Sequence, residues 1–176
     1  MIRNEMIEMI CSRRSVRRYT ADPISDEAVS AMLECAKFAP SGLNNQPWRF
    51  IVIDDKEIGW QLSTLTHYSE IVASAPLLIA VFLDTAASYH REKDLTAIGA
   101  CIQNILLAAH SMELGAVWLG EILKNKSEVS KILNAPSEFE LFAVIAVGHP
   151  VSASAASGCA SRKPLEELVF KNKYSK

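Results

Sequence analysis

The chain has 176 residues, of which 49% are hydrophobic and 22% charged, and its formal net charge is −2. This size and hydrophobic content suit one globular domain over residues 1–176 and exclude a disordered chain. The near-neutral charge argues against a general nucleic-acid-binding protein, which would carry a basic excess. Positive charge is nevertheless crowded near the N-terminus, which points to a small anion, through Arg3, Arg13, Arg14, Arg17 and Arg18.

The sequence also narrows the cellular setting. Glu5 and Glu8 interrupt any apolar N-terminal run, and the longest apolar run, residues 75–83, is too short to span a bilayer. The four cysteines include no Cys-x-x-Cys pair, so neither a zinc site nor a thioredoxin-type site is indicated. We therefore expect a cytoplasmic protein without a membrane partner, in which Cys35 and Cys101 are small core residues of helices.

Capping residues and apolar spacing predict two helices before the first strand. Asn4 caps a short helix over residues 5–11, and Ser25 caps a second helix that Pro40 stops. A polar loop, residues 13–23, separates the two. Residues 48–53 then predict a strand, and residues 56–74 a weakly helical region.

The C-terminal half alternates strands and helices. Residues 76–83 are a continuous apolar run, typical of a central strand covered on both faces. After a polar connector at 85–93, residues 94–114 carry the longest helical pattern, which Gly115 ends. Strands are predicted at 116–119 and 141–147, a short helix from a Ser127 cap to Leu133, a mobile loop at 151–161, and a helix or extended arm at 162–170. This mixed order fits an α+β fold or a three-layer α/β sandwich.

A dense cationic cluster follows the first helix. It consists of Arg13, Arg14, Ser15 and Arg17. Guanidinium groups are permanent, planar donor forks that match phosphate oxygens, so three of them with a hydroxyl can hold a monophosphate. The same residues also suit a solvated basic loop, or one that offsets the dipole of the neighbouring helix end.

A polar turn bracketed by prolines follows the second helix. Its side chains offer donors and acceptors that can read the heteroatom edge of a ring system, and Gly42 permits unusual backbone conformations. The candidate ligand contacts are Pro40, Ser41, Gly42, Asn44 and Gln46. An ordinary helix-to-strand connection would use similar residues.

Two later segments carry weaker signals. Trp118, Leu119 and Gly120 end a strand where the backbone can approach a planar ligand, and Arg162 with Lys163 could add charge to a phosphate site. No Gly-x-Gly-x-x-Gly or Walker loop is present, and the four histidines have no metal-like spacing.

These four segments, in this order and at these intervals, resemble the nitroreductase family of FMN enzymes over nearly the whole chain. The resemblance implies an α+β fold, a nitroreductase-like three-layer α/β/α sandwich with a mostly antiparallel central sheet. It also implies an intertwined homodimer with FMN at the subunit interface.

The resemblance assigns the candidate residues to parts of the cofactor. Arg13, Arg14, Ser15 and Arg17 would bind the FMN phosphate, ribityl chain and pyrimidine edge, joined by Arg162 and, less directly, Lys163. Pro40, Ser41, Gly42, Asn44 and Gln46 would reach the flavin from the other subunit, and Trp118, Leu119 and Gly120 would lie along the isoalloxazine ring. Larger family members often carry a second basic residue where this chain has Ala160.

The implied activity is that of an FMN-dependent NAD(P)H oxidoreductase. Flavin N5 would take a hydride from NADH or NADPH and pass electrons to a nitroaromatic, quinone or activated alkene by a ping-pong mechanism, without a protein acid or base as catalytic residue. The alternatives are dehalogenation or flavin breakdown by reduced FMN, and a non-catalytic FMN-binding protein. Residues 63–74 and 84–93 would cover the flavin, with Tyr68, Tyr89 and His90 as candidate lid residues.

Overall fold

The computed structural model describes residues 4–152 and 161–174. Most of the predicted loop at 151–161, and with it Ala160, lies outside the described residues. A four-stranded antiparallel sheet forms the centre of the molecule, in the order β1-β2-β4-β3. Its strands are β1 (Trp48–Ile53), β2 (Leu77–Asp84), β3 (Gly115–Leu119) and β4 (Phe139–Gly148).

The strand β2 is central, as its apolar run predicted. All eight of its residues are buried, and it pairs with β1 on one side and β4 on the other. Its side chains alternate between two cores, because successive residues of a strand point to opposite faces of a sheet. Ile79 and Val81 belong to one core, and Leu78 and Phe82 to the other.

Helices cover both faces of the sheet, which confirms the three-layer prediction. The first core contains α2 (Asp26–Lys37) and the long α5 (Arg91–Ser111), through Met32, Ile98 and Ile105. The second core contains α3 (Lys56–Ser63), α4 (Ser69–Ser74) and α6 (Lys126–Ile132). The remaining helix, α1 (Glu5–Ser12), precedes the sheet in the chain. The predicted α+β fold with an antiparallel sheet is therefore confirmed.

Two of the predicted helix caps are present and one is not. Asn4 Oδ1 accepts a hydrogen bond from Ile7 N at 2.9 Å, and Ser25 Oγ accepts one from Ala28 N at 3.2 Å. Ser127 lies inside α6 rather than at its start, because a 3₁₀ turn at Glu121–Asn125 runs directly into that helix.

The helix α5 starts three residues earlier than predicted, at Arg91. Of the two cysteines expected in the core, Cys101 is buried, and this burial raises the pKa of its thiol to about 12. Cys35 is exposed, so its core prediction is wrong. The reason is helical phase, since the covered face of α2 passes through Met32 and Ala36.

The C-terminal segment, residues 161–174, is an arm rather than a helix. It contains one short 3₁₀ turn at Leu165–Glu167, and every one of its residues is exposed. The extended-arm alternative is therefore the one that the structure adopts.

Candidate functional site

The arginine segment, residues 13–17, is anchored along the free edge of β3. Val16 N donates to Ala116 O at 3.1 Å, and Ser15 pairs in parallel with Ala116. Val16 is buried directly against Gly115, where a Cβ would lie 2.6 Å from the valine side chain. Tyr19 is buried three residues further on, and its hydroxyl donates to Val16 O at 2.5 Å. Backbone pairing and burial therefore fix the segment on the sheet.

Three guanidinium groups gather at this anchor. Arg13 is half-buried, and burial, together with the charges of Arg162 and Arg14, lowers its pKa. Within residues 4–152 and 161–174, neither Arg13 nor Arg14 forms an ion pair with a carboxylate. Like charges this close are costly unless an anion joins them. The cluster thus has the charge to bind an anion, and it joins Arg162 of the C-terminal arm with the N-terminal segment.

Arg14 also serves the neighbouring helix. Its Nη1 donates to Cys11 O at 2.8 Å and to Arg13 O at 2.9 Å, which satisfies carbonyls at the end of α1. Arg17 is half-buried. Burial raises the pKa of the Tyr19 hydroxyl, and the nearby charge of Arg17 opposes that rise. Lys163 lies in the exposed arm, with its Nζ 3.7 Å from Glu167 Oε2. The structure therefore places Lys163 in an ion pair with its own segment.

The polar loop, residues 41–46, has an unusual backbone. Leu43, Asn44 and Gln46 have φ of 54°, 55° and 46°. Asparagine tolerates this left-handed region, but for leucine and glutamine it costs on the order of 1–3 kcal/mol each. Ser41 Oγ accepts from Gln46 N at 3.1 Å and closes the loop. Such strain persists only where the surroundings enforce it, and it is typical of ligand-binding loops.

A buried acid that the sequence analysis missed holds this loop. Asp94, in the first turn of α5, is fully buried, and its Oδ1 accepts from Asn45 Nδ2 at 2.8 Å. Its Oδ2 accepts from Ser88 Oγ at 2.6 Å and from the amides of Tyr89 and His90, both at 3.1 Å. In the sequence, Asp94 reads only as an acid in the first turn of a helix. Its partner Asn45 is 49 positions away, so spacing gave no signal.

The candidate lid residues fall into two groups. Tyr89 packs on the polar loop, with its hydroxyl 2.0 Å from where a Cβ on Gly42 would lie, and the His90 ring is 6.3 Å from the Tyr89 ring. Tyr68 is 45% exposed. The two residues before it are hydrogen-bonded to Glu121, an acid that the sequence analysis did not select. Glu121 Oε2 accepts from Thr66 Oγ1 at 2.6 Å.

An ion pair and hydrogen bonds favour the ionised form of Glu121. Its ion pair with Lys124, followed by the Thr66 hydroxyl, lowers the pKa of Glu121 to about 2. The acid directly follows Gly120, so this network ties the turn after β3 to the segment before Tyr68.

The end of β3 offers an open surface. Trp118 is 38% exposed, and its ring lies 5.8 Å from that of Phe142 and against Gly99 of α5. Leu119 is buried in the second core. Among the described residues, a Cβ placed on Gly120 would meet nothing within 4 Å, so its backbone is open on that side.

One chain does not bring the two main parts of the site together. The polar loop is bonded to Asp94 at the start of α5, whereas Ser12 and the arginine cluster lie beside His110 at its end. These two helix positions are sixteen residues, or about 24 Å, apart. A cavity of about 630 Å³ lies where β1 ends and β2 begins, with Val52, Trp60 and Leu77 in its walls, and none of the candidate residues lines it.

The described part of the chain has no group of acids, histidines or cysteines that could hold a metal ion. None of its helices is both long enough and apolar enough to cross a membrane.

Comparison with known proteins places this fold among flavin-binding reductases. The model of the Nitroreductase family matches residues 10–67 and 59–149. A protein of Archaeoglobus fulgidus, provisionally named an NADH dehydrogenase/NAD(P)H nitroreductase, is 34% identical over 83% of this chain and 86% of its own. The FMN reductase [NAD(P)H] of Bacillus subtilis is 29% identical over 97% of this chain and 75% of its own.

A solved structure agrees with these matches. The protein from Desulfovibrio desulfuricans, provisionally described as a nitroreductase and determined in complex with FMN, is 45% identical, with a TM-score of 0.90. The similarity covers 99% of this chain and 100% of that one. The chain belongs to the nitroreductase family. This confirms the predicted family and the predicted enzyme class, an FMN-dependent oxidoreductase.

Proposed function

We propose that the protein is an FMN-dependent NAD(P)H oxidoreductase whose flavin site is built from two copies of the chain. The observation that carries the proposal is the separation of the arginine cluster and the polar loop by about 24 Å along α5. A second copy packed in the opposite direction would bring its polar loop to the arginine cluster of the first.

The chemistry of the two parts fits FMN. Arg13, Arg14 and Arg162 form a cationic cluster that suits a dianionic phosphate. Ser15 and Arg17 would bind the ribityl chain and the pyrimidine edge. The open backbone at Gly120 suits a planar ring. The polar groups of the partner copy's loop suit the ring heteroatoms, through Ser41, Gly42, Asn44 and Gln46. Lys163 is a weaker candidate, because it already faces Glu167.

Exposed apolar side chains support the homodimer. Met6 and Ile10 of α1 are 61% and 49% exposed. The C-terminal arm adds several more uncovered side chains, from Leu165 to Tyr174. Large exposed apolar patches mark protein interfaces, so these side chains are candidates for one. An arm whose described residues are all exposed on their own chain suits an intertwined pair, in which the partner chain would cover them.

The residues of the chain bind and orient the cofactor. When bound, FMN supplies hydride acceptance from NADH or NADPH at N5 and reduction of a small nitroaromatic, quinone or activated alkene, in a ping-pong sequence. The guanidinium groups hold the phosphate, and donors at the pyrimidine edge stabilise negative charge by the logic of an oxyanion hole. Tyr89 packs on the polar loop with the His90 ring beside it, and both would select the acceptor.

An absorbance spectrum before and after anaerobic addition of NADH or NADPH tests the proposal. We expect twin flavin bands that bleach with reductant. A flavin spectrum that does not bleach would favour a non-catalytic FMN-binding protein. A colourless protein that takes up no added FMN would overturn the site assignment.

A second candidate function is chemistry of reduced FMN other than acceptor reduction. It is favoured by two further relatives, the iodotyrosine deiodinase of Thermotoga neapolitana and the 5,6-dimethylbenzimidazole synthase of Rhodospirillum rubrum, each 29% identical over more than four fifths of this chain. Rapid loss of the flavin spectrum under NADPH and oxygen, without added substrate, would support flavin breakdown. A stable spectrum would favour the oxidoreductase.

A further inference from the structure

Asp94 is a buried carboxylate with no role in the chemistry above. It is fully buried in the first turn of α5, and four donors surround its two oxygens. These hydrogen bonds outweigh the opposing effect of burial and keep the pKa of Asp94 below its ordinary value. The group is therefore a charged, fully satisfied acceptor, the kind of buried polar centre that specifies a single local structure.

The four donors come from two separate segments. Asn45 belongs to the polar loop, whereas Ser88, Tyr89 and His90 belong to the candidate lid connector before α5. Asn45 Nδ2 also donates to Ala87 O at 3.2 Å, so the two segments bond to each other as well as to the acid. A single side chain thus joins the proposed flavin contacts to the proposed acceptor contacts.

Asn45 is the point where the strained loop is held. Its neighbours Asn44 and Gln46 both have positive φ, whereas its own φ is −72°. Its Oδ1 is buried and has no hydrogen-bond partner among residues 4–152 and 161–174, so Nδ2 anchors the side chain. If the amide were reversed, Oδ1 would face the carboxylate and the two acceptors would repel each other. The carboxylate therefore selects the orientation of Asn45.

We propose that Asp94 is a positioning residue that holds the polar loop and the lid connector as one unit, and through them sets the affinity for both FMN and the acceptor. The inference rests on the proposed function, because it assigns these two segments to cofactor and acceptor. Asp94 itself is buried below them and touches neither ligand.

The central test compares Asp94→Asn with Glu92→Gln. Both acids lie in the first turn of α5, but Glu92 is exposed, so the control reproduces the helix-dipole change alone. Losing a hydrogen-bonded buried charge should raise the FMN Kd by about tenfold or more. Glu92→Gln should leave it unchanged. With saturating FMN, Asp94→Asn should raise the acceptor KM but leave kcat unchanged, since no reacting group is altered.

A double-mutant cycle identifies the route of the effect. Asn45→Ala should also raise the FMN Kd. The double variant with Asp94→Asn should have a Kd no higher than that of the more severe single variant, because both substitutions break the same hydrogen bond between Asn45 and Asp94. Ser88→Ala should raise the acceptor KM and leave the FMN Kd unchanged. If the effects of Asp94→Asn and Asn45→Ala multiply, or if Asp94→Asn matches Glu92→Gln, the proposal is overturned. Asn45→Ala, which leaves the acid three donors, keeps the test available if Asp94→Asn does not fold.

Hydrogen exchange without FMN separates this proposal from the proposed function. In Asp94→Asn, peptides covering residues 41–46 and 85–90 should lose protection together while the sheet keeps its own. Loss of protection in only one of the two segments would overturn the proposal that they form one unit. A wild-type protein that binds no FMN would overturn the proposed function, and the exchange result would still decide the role of Asp94.

Discussion

The arginine segment and the polar loop are proposed to bind the same cofactor, yet different interactions hold them in place. The arginine segment is paired with β3 through its backbone and anchored by buried Val16 and Tyr19. The polar loop contains three residues with positive φ and is held by one buried acid through Asn45. The first region is part of the folded core. The second is a strained surface loop that a polar network keeps in shape.

The comparison shows how rigidity and sensitivity are divided within one site. A phosphate site on the sheet edge should tolerate changes far from it, because its backbone bonds do not depend on one side chain. The ring-facing loop should respond to single substitutions, since strained backbone persists only where its surroundings enforce it. Three substitutions and one titration test this division, beginning with the largest expected effect.

Replacing Arg13 with alanine should weaken FMN binding most. The loss of one charge-assisted hydrogen bond to phosphate corresponds to an increase in Kd of about tenfold or more. Flavin fluorescence titration measures it. Arg18→Ala is the matched control, because Arg18 is exposed and outside the assigned set. Equal losses from the two variants would mean that only general positive charge matters.

Replacing Gly115 with alanine should disrupt the packing of the arginine segment on β3. The new Cβ would lie 2.6 Å from Val16, which must shift, and overpacking of this kind costs about 1–3 kcal/mol in free energy of unfolding. Thermal unfolding and FMN retention should both fall. Gly120→Ala is the control for stability, because its Cβ would meet nothing within 4 Å. Unchanged stability of Gly115→Ala would show that the Val16 side chain can shift at little cost in free energy.

Replacing Leu43 with asparagine should relieve strain in the polar loop. Leucine at φ 54° is unfavourable and asparagine tolerates it, so the free energy of unfolding should rise by about 0.5–1 kcal/mol. Phe38→Asn removes a similarly exposed apolar side chain at a negative φ and should give no such gain. Chemical denaturation measures both. A loss of stability in Leu43→Asn would instead identify Leu43 as a dimer contact.

The smallest expected effect is a change in the titration of His110. Burial, followed by the charges of Arg13 and Arg14, lowers the pKa of His110. Its pKa should therefore rise in Arg13→Ala, and also when a phosphate anion joins the cluster on FMN binding. NMR titration of the imidazole follows this directly, with Arg18→Ala as the unaffected control. A His110 pKa that is insensitive to FMN would place the phosphate elsewhere.

Much of the fold was accessible from the sequence because its signals are local. The apolar run of β2, the caps at Asn4 and Ser25, and the long stripe of α5 each depend on residues close together in the chain. Two predictions failed. Ser127 is not the cap of α6, because the preceding 3₁₀ turn runs into that helix, and Cys35 is exposed, because it lies outside the covered face of α2. The single domain over 1–176 and the cytoplasmic location remain predictions.

For the site, the sequence by itself determined the chemistry: a cationic segment, a polar loop and the family to which they belong. Only the tertiary structure decided their arrangement. It gathered Arg162 with Arg13 and Arg14, set the polar loop at the opposite end of α5, and selected Asp94 as its anchor. Local pattern fixes which groups a chain offers. Packing over long sequence separations fixes which of them meet, because those contacts depend on the whole core.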